Sequence, residues 1–292
     1  MRAARLHELG GVPRVDEVPA PEGDVLEVTT SALNPVDISI GSGRFYGGTP
    51  ALPYVIGSEA IVRAADGRRF WHYAGSATAE WVAMPAADRI VEIPDGVGDD
   101  LAIACGIAGL TGWLAVSWRA AVRPDDTVLV LGASGTVGRA ALQGAKVLGA
   151  RRVIGAARRV DAIPEAADEA ISLEGDLPAA DVVVDPLWGA PGERALAAAS
   201  PGVRFVQLGQ SGGATATLQS GWVRGKVANL LGHSLGSVPA DARTHGYREL
   251  CEHARAGRIR FDVERYPLER IAEAWERQAS GPRAKLVIGV AR

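Results

Sequence analysis

The 292-residue chain contains little cysteine, little lysine and no long apolar run. Its two cysteines, Cys105 and Cys251, can form at most one disulfide, which favours a reducing, cytoplasmic setting. No stretch approaches the ~18–20 uninterrupted apolar residues of a membrane-spanning helix. The charged start also lacks the apolar segment of a secretion signal. We therefore predict a cytoplasmic protein that has no membrane partner.

The chain also has no large excess of charge of either sign, because its net charge is only −3. Only three of the 31 cationic side chains are lysine, and no lysine-rich patch exists. This balance argues against a nucleic-acid partner and leaves a small molecule as the expected substrate. Apolar and charged fractions of 47% and 22% exclude a disordered chain, and the length is sufficient for two domains.

The character of the sequence changes after Pro94-Asp95-Gly96. Before it, short β-rich runs such as Val25–Val28 and Ala60–Val62 alternate with proline and glycine, which predicts a small β-barrel or sandwich. After it, helices alternate with continuous apolar strands such as Thr127–Leu131 and Asp181–Asp185, which predicts a parallel sheet covered on both faces.

The tail contains an amphipathic helix, Ile271–Gln278, and a strand, Lys285–Ile288. From the pattern alone, this strand either extends the central parallel sheet or returns to complete the N-terminal domain.

A glycine-rich loop joins strand Thr127–Leu131 to a predicted helix over Val137–Leu148. It reads Gly132-Ala133-Ser134-Gly135-Thr136-Val137-Gly138, a GxxGxxG variant of the usual dinucleotide pattern. Glycine permits a tight turn close to a pyrophosphate, and the free amides of a helix N-terminus favour an anion. We predict that Ala133, Ser134, Gly135, Thr136 and Val137 bind a dinucleotide.

The end of the second strand indicates which dinucleotide binds. It reads Ala156-Ala157-Arg158-Arg159, with no acidic residue until Asp161. An acidic residue there would bind the ribose hydroxyls, whereas arginine accommodates a 2′-phosphate. We therefore predict NADPH, with Ala157, Arg158 and Arg159 at the adenosine end. The alternative is that both arginines are solvated loop residues.

Several motifs, in order along nearly the whole chain, resemble zinc-free medium-chain dehydrogenase/reductases of the quinone oxidoreductase family. They are Asn34-Pro35-Val36-Asp37, Ser42–Tyr46, Leu52–Ala60, Ala108–Trp113, the glycine loop, Val182–Pro186, Arg204–Gly209 and Gly281–Val287. The resemblance implies a GroES-like β-barrel catalytic domain over 1–112, a Rossmann doubly wound parallel-sheet domain over 113–252, and a return to the catalytic domain over 253–292. It also implies a homodimer.

Zinc-dependent relatives carry cysteine where Asn34 stands and Gly-His-Glu where this chain has Gly57-Ser58-Glu59. Zinc prefers thiolate and imidazole ligands, so we expect no metal. The implied activity is NADPH-dependent reduction of a quinone. Two alternatives stay open: reduction of an enoyl group or α,β-unsaturated ketone, including secondary-metabolite tailoring, and a non-catalytic NADPH-binding sensor, structural or RNA-binding protein.

The resemblance also assigns site residues. Tyr46 would donate a hydrogen bond to the substrate or shape its pocket, and Asn34 would touch the nicotinamide ribose or the substrate. Thr111 would contact the cofactor from a helix start. Each has a plainer alternative, respectively a surface loop tyrosine, a turn-forming asparagine and a helix cap. The remaining cofactor contacts implied are Pro186, Leu208, Gly209, Gln210, Ser234 and Leu235.

The barrel segment before Trp71-His72-Tyr73 is shorter than the family's usual one. These residues could line the substrate cleft, which makes His72 a candidate proton donor. The alternative is a histidine with ordinary hydrogen bonds.

Overall fold

The computed structural model describes residues 1–290. The strands are β1 Arg2–Leu6, β2 Arg14–Glu17, β3 Val25–Leu33, β4 Tyr54–Val55, β5 Ala60–Arg63, β6 Arg69–His72, β7 Trp81–Ala83, β8 Ile90–Glu92, β9 Thr127–Leu131, β10 Arg152–Ala157, β11 Glu169–Ser172, β12 Val182–Asp185, β13 Arg204–Gln207, β14 Asn229–Gly232, β15 Val263–Pro267 and β16 Lys285–Gly289. The helices are α1 Pro35–Gly41, α2 Asp99–Ala104, α3 Leu110–Leu114, α4 Thr136–Val147, α5 Gly189–Ala198, α6 Ser220–Gly225, α7 Ala240–Arg255 and α8 Ile271–Ala279.

These elements form two compact units. The N-terminal unit comprises Met1–Ile107, Tyr247–Arg255 and the chain from Phe261 onward. The central unit comprises Ala108–Gly246 and Ala256–Arg260.

The N-terminal unit is built on β3, whose nine residues pair with β5, β7 and β16. The main sheet has the order β15-β16-β3-β5-β6-β8, and a smaller sheet has the order β2-β1-β4. Leu26, Val28 and Leu33 of β3 join Leu286 and Ile288 of β16 in one buried cluster. Because β16 pairs antiparallel with β3, the tail returns to the N-terminal unit and does not extend the central sheet.

The central unit contains a six-stranded parallel sheet in the order β11-β10-β9-β12-β13-β14. All five residues of β9 are buried, as expected for a strand covered on both faces. The strand order reverses between β9 and β12, and ligands of such sheets bind outside the carboxyl ends of the strands at this point. The predicted fold class, a β-rich domain with a doubly wound parallel-sheet domain, is confirmed.

The run Asp99–Arg119 differs from the sequence expectation, because by length and hydropathy alone it could cross a membrane. Within the protein, however, 72% of its most apolar window is buried, and the backbone of Gly106 leaves the helical conformation. The burial is typical of a core helix, and the break at Gly106 means that the run is not one continuous helix.

Candidate functional site

The glycine loop turns sharply at the carboxyl end of β9. Gly132 has φ +61°, a left-handed conformation that strains other residues, and α4 begins at Thr136. A Cβ at Gly138 would lie 2.3 Å from the carbonyl oxygen of Gly132, so only glycine allows this approach. A Cβ at Gly135, in contrast, would meet nothing closer than 3.6 Å. The loop therefore presents an open backbone surface at the N-terminus of a 12-residue helix.

This surface fits the pyrophosphate of a dinucleotide. The amides of a first helical turn have no intrahelical acceptor, and the helix dipole favours an anion beside them. Arg139 stabilises the loop from behind, because its Nε donates to the Ser134 carbonyl at 3.2 Å. One of its terminal nitrogens donates to the Ala162 carbonyl at 3.1 Å, which ties the loop to the segment after β10.

The arginine pair lies beside the loop. The amide of Ala133 donates to the carbonyl of Ala156 at 3.2 Å, which fixes the loop against the end of β10. Ala157 is buried there, whereas Arg158 and Arg159 are exposed. Within residues 1–290, neither arginine makes a salt bridge with an acidic side chain. Two guanidinium groups without an acidic partner among residues 1–290 thus lie immediately after β10, the strand whose end contacts the glycine loop.

The other predicted cofactor residues of the central unit follow the neighbouring strands. A Cβ on Gly209 would lie 2.4 Å from the carbonyl oxygen of Pro186, so the ends of β12 and β13 are in close contact. The remaining members of this set, Leu208, Gln210, Ser234 and Leu235, follow β13 and β14 at the same sheet edge. Gln210 also borders a cavity of about 350 Å³.

Thr111 lies in α3, which packs against α4. A Cβ on the adjacent Gly112 would lie 2.3 Å from the carbonyl oxygen of Val137, in the first turn of α4. The structure therefore brings Thr111 close to the glycine loop, within the same unit.

In the N-terminal unit, Asn34 belongs to a buried polar cluster. Its side-chain amide donates to Oε1 of Glu59 at 2.9 Å, and its Oδ1 accepts from Nζ of Lys285 at 2.5 Å. Lys285 also donates to Oε1 of Glu59 at 2.6 Å. The other carboxylate oxygen, Oε2, accepts from Nε1 of Trp71 at 2.9 Å and from the amide of Ile107 at 2.7 Å. We call these residues the Glu59 cluster.

Asp37 lies next to this cluster, in the first turn of α1. Its carboxylate accepts from the amide of Asn34 at 2.7 Å and from the hydroxyl of Ser58 at 2.6 Å. Burial raises the pKa of Asp37 to about 6, although both hydrogen bonds and the charge of Lys285 oppose that shift.

Tyr46 is not enclosed with these residues. It lies in the loop after α1, is 82% exposed, and its ring packs on Phe45 at 4.6 Å between centroids. Most of the Tyr46 side chain is therefore exposed, whereas Asn34 is buried.

His72 is also separate from the Glu59 cluster. Successive side chains of a strand point to opposite faces, so His72 and Trp71 face opposite sides of β6. Trp71 faces Glu59, and His72 instead borders a cavity of about 370 Å³ with Trp81 and Arg89. Burial lowers the pKa of His72 to about 4, so at neutral pH it has no proton of the imidazolium form to donate. The proton donor predicted at this position is therefore in its neutral form at neutral pH.

The sequence interpretation missed Lys285 and Glu59 as site residues, and it missed Arg139. The motif Gly57-Ser58-Glu59 draws attention to Ser58, which replaces the histidine of zinc-dependent relatives, and not to Glu59, which those relatives share. Lys285 had a compositional signal, since it is one of three lysines in a chain that otherwise uses arginine.

Comparisons with known proteins agree with this geometry. Residues 148–288 match a family model described as zinc-binding dehydrogenase. The chain is 30% identical over 311 residues to a phenolphthiocerol/phthiocerol polyketide synthase of Mycobacterium tuberculosis, an alignment that covers 92% of this chain and 14% of that protein. It is 36% identical over 174 residues to the quinone oxidoreductase of Mus musculus, with 51% and 52% covered. The chain therefore spans a small part of the first relative and about half of the second.

One solved structure can be superposed on nearly the whole chain. The quinone oxidoreductase of Thermus thermophilus superposes with a TM-score of 0.85 at 25% identity, covering 99% of this chain and 100% of that one.

The zinc in the name of the matched family raises the question whether this chain could hold one. Asn34 and Ser58, at the positions of the ligating cysteine and histidine, offer an amide and a hydroxyl that are already hydrogen-bonded. The carboxylate of Glu59 is paired with an ammonium group. Within residues 1–290, no group of three His, Cys, Asp or Glu side chains is arranged to hold a metal. The residues present do not fit a zinc ion.

Proposed function

Because the chain belongs to the medium-chain dehydrogenase/reductases of the quinone oxidoreductase-like type, we propose that it is a zinc-independent oxidoreductase. It would transfer a hydride from NADPH to a quinone or a similarly activated acceptor. The observation that carries this proposal is the carboxyl edge of the central sheet, where an open glycine loop and two uncommitted arginines adjoin each other.

The cofactor assignment rests on chemistry and on a relative. The Thermus thermophilus quinone oxidoreductase has been solved in complex with NADPH. In this chain, the loop amides would hold the pyrophosphate, and Arg158 and Arg159 would bind the 2′-phosphate through charge-assisted hydrogen bonds. Pro186, Gly209 and Gln210 lie along the same edge and would border the rest of the cofactor.

When bound, NADPH supplies the hydride, and the protein has to hold the reactants close and oriented. Negative charge then develops on the acceptor oxygen, where a hydrogen-bond donor lowers the barrier. We propose that Tyr46 supplies this donor and that Asn34 contacts the nicotinamide ribose or the substrate.

The homodimer and the cytoplasmic setting stay predictions. For the homodimer, β14 offers an edge of the central sheet at which three of its four residues are exposed.

A second candidate is the reduction of an α,β-unsaturated carbonyl compound. It is favoured by the similarity to a polyketide synthase, which covers 92% of this chain. The two candidates share hydride transfer and differ in the acceptor.

The test is NADPH oxidation, followed at 340 nm, against a panel of quinones and enones in buffer containing a metal chelator. We expect turnover with at least one quinone, or with an enone if the second candidate is correct, and no loss of rate on chelation. NADPH binding without oxidation by any acceptor would leave only a sensor or structural role. A rate that chelation abolishes and zinc restores would contradict zinc independence.

A further inference from the structure

We infer that the ammonium group of Lys285 is the built-in cation of the Glu59 cluster and that it excludes a divalent metal from this site. The inference rests on the proposed function only for the relevance of the site, because it concerns metal binding and not turnover.

The topology places Lys285 beside Asn34. Strand β16 pairs antiparallel with β3, with Leu286 opposite Leu33. The residue before Leu286 is therefore brought next to the residue after Leu33, although the two are 251 positions apart. The side chain of Lys285 is 2% exposed and that of Glu59 is fully buried.

Glu59 has no capacity left for another ligand. A carboxylate offers about four lone-pair sites, and Glu59 accepts from Lys285, Asn34, Trp71 and the amide of Ile107. A metal could bind it only by displacing one of these donors. A buried carboxylate whose charge is already balanced by an ammonium at 2.6 Å gains little from a second cation.

The same ammonium would repel a metal directly. Two positive charges a few ångströms apart interact unfavourably, and the repulsion is strong where water is excluded. It also fixes the orientation of Asn34, because a reversed amide would place its NH2 group against Lys285 and its oxygen against Glu59. Lys285 is thus a positioning residue whose charge does what a metal would otherwise do, which is to neutralise Glu59.

The test introduces the missing ligands with and without Lys285. The double variant Asn34→Cys/Ser58→His would supply, with Glu59, a thiolate, an imidazole and a carboxylate, which is the three-ligand set of an open zinc site. The triple variant adds Lys285→Met, which keeps side-chain length but removes the charge. Each variant and the wild type are equilibrated with zinc, dialysed and analysed for metal per chain. Cobalt is then used as an optical probe, since a thiolate ligand gives an intense charge-transfer band.

Because the triple variant leaves Glu59 unpaired until metal binds, a second triple variant carries Lys285→Gln instead, whose uncharged amide can still donate to Glu59 while all three ligands are kept. We expect about one zinc per chain, with the cobalt–thiolate band, in at least one of the two triple variants and less than about a tenth in the double variant. The wild type serves as the control for Cys105, Cys251 and surface histidines.

Zinc bound equally well by the double variant would overturn the inference, because Lys285 would then exclude nothing. Absence of zinc from every folded variant that lacks Lys285 would overturn it too. Neither result depends on turnover, so a failure of the proposed function would be seen separately in the NADPH assay.

Discussion

At the residue scale, Arg158 and Arg159 differ from many other arginines of the chain, because neither has an acidic partner among residues 1–290. Arg152, for example, pairs with Glu169 at 2.6 Å from the opposite end of β10. Uncommitted guanidinium groups keep their capacity for a bidentate contact with a phosphate.

We expect the double variant Arg158→Ala/Arg159→Ala to weaken NADPH binding far more than NADH binding. The physical reason is that only NADPH carries the 2′-phosphate that these side chains would neutralise. Titration of each cofactor by fluorescence measures the two affinities, with the exposed Arg224→Ala as a matched control in the same unit. Equal losses for NADPH and NADH would refute the assignment.

For Tyr46, the role expected from the sequence and the exposure seen in the structure point in different directions. The resemblance assigns it a catalytic hydrogen bond, whereas the structure exposes 82% of it. If it donates to the developing oxyanion, Tyr46→Phe should lower kcat by up to ~10²–10³-fold, as loss of one such donor can. Tyr54→Phe is the control for loss of a phenol elsewhere in the N-terminal unit. An unchanged kcat would make Tyr46 a packing residue.

At the scale of elements, strand β16 joins the end of the chain to its beginning through Lys285. The ion pair of Lys285 with Glu59 is buried, and it joins two residues that are 226 positions apart in the sequence. A buried charge without its partner costs about 3–5 kcal/mol, whereas removal of both charges costs less.

Lys285→Met should therefore destabilise the N-terminal unit by about 3–5 kcal/mol, and the charge-balanced variant Glu59→Gln/Lys285→Met should recover part of that loss. Urea unfolding, followed by near-UV circular dichroism, gives the free energies. A single variant as stable as the wild type, or a double variant no more stable than the single one, would show that the pair contributes no coupling.

The elements themselves were largely predictable. The strand predicted over Thr127–Leu131 is β9, and the helix predicted over Val137–Leu148 is α4 within one residue at each end. Continuous apolar runs and a strand–glycine–helix order are local signals, so they can be read from short windows. The Glu59 cluster was not predictable in this way, because Asn34, Glu59 and Lys285 meet only after β3, β5 and β16 have paired.

At the scale of the whole molecule, the stability of the chain should depend on pH through buried histidines in both units. Burial lowers the pKa values of His72 and His233 to about 4. The unfolded chain, with ordinary histidines near 6.5, then binds more protons between pH 6.5 and 4, so stability falls as the pH falls through that window. Asp37 acts in the opposite direction, since its raised pKa of about 6 makes the folded state bind the extra proton. Asp185 acts in the same direction as Asp37, because burial raises its pKa as well. Between pH 7 and pH 5 the two histidines outweigh these two aspartates, because the ordinary histidine pKa near 6.5 lies inside that window and the ordinary aspartate pKa lies below it.

We expect stability to decrease from about pH 7 to about pH 5, and His72→Gln to reduce that decrease by about 2 kcal/mol. Urea unfolding at the two pH values measures it, with the exposed His245→Gln as the control. If His72→Gln and the wild type lost the same stability, His72 would not titrate as its burial requires.

The central claim is that this molecule binds NADPH and transfers its hydride. The most direct measurement is a single-turnover reaction with NADPH deuterated at C4 in either of its two positions, mixed with the best acceptor of the quinone and enone panel. We predict that oxidation is slower for one deuterated epimer than for the other, because a protein site holds one face of the nicotinamide toward the acceptor. NADPH that binds but is not oxidised by any acceptor would contradict the claim.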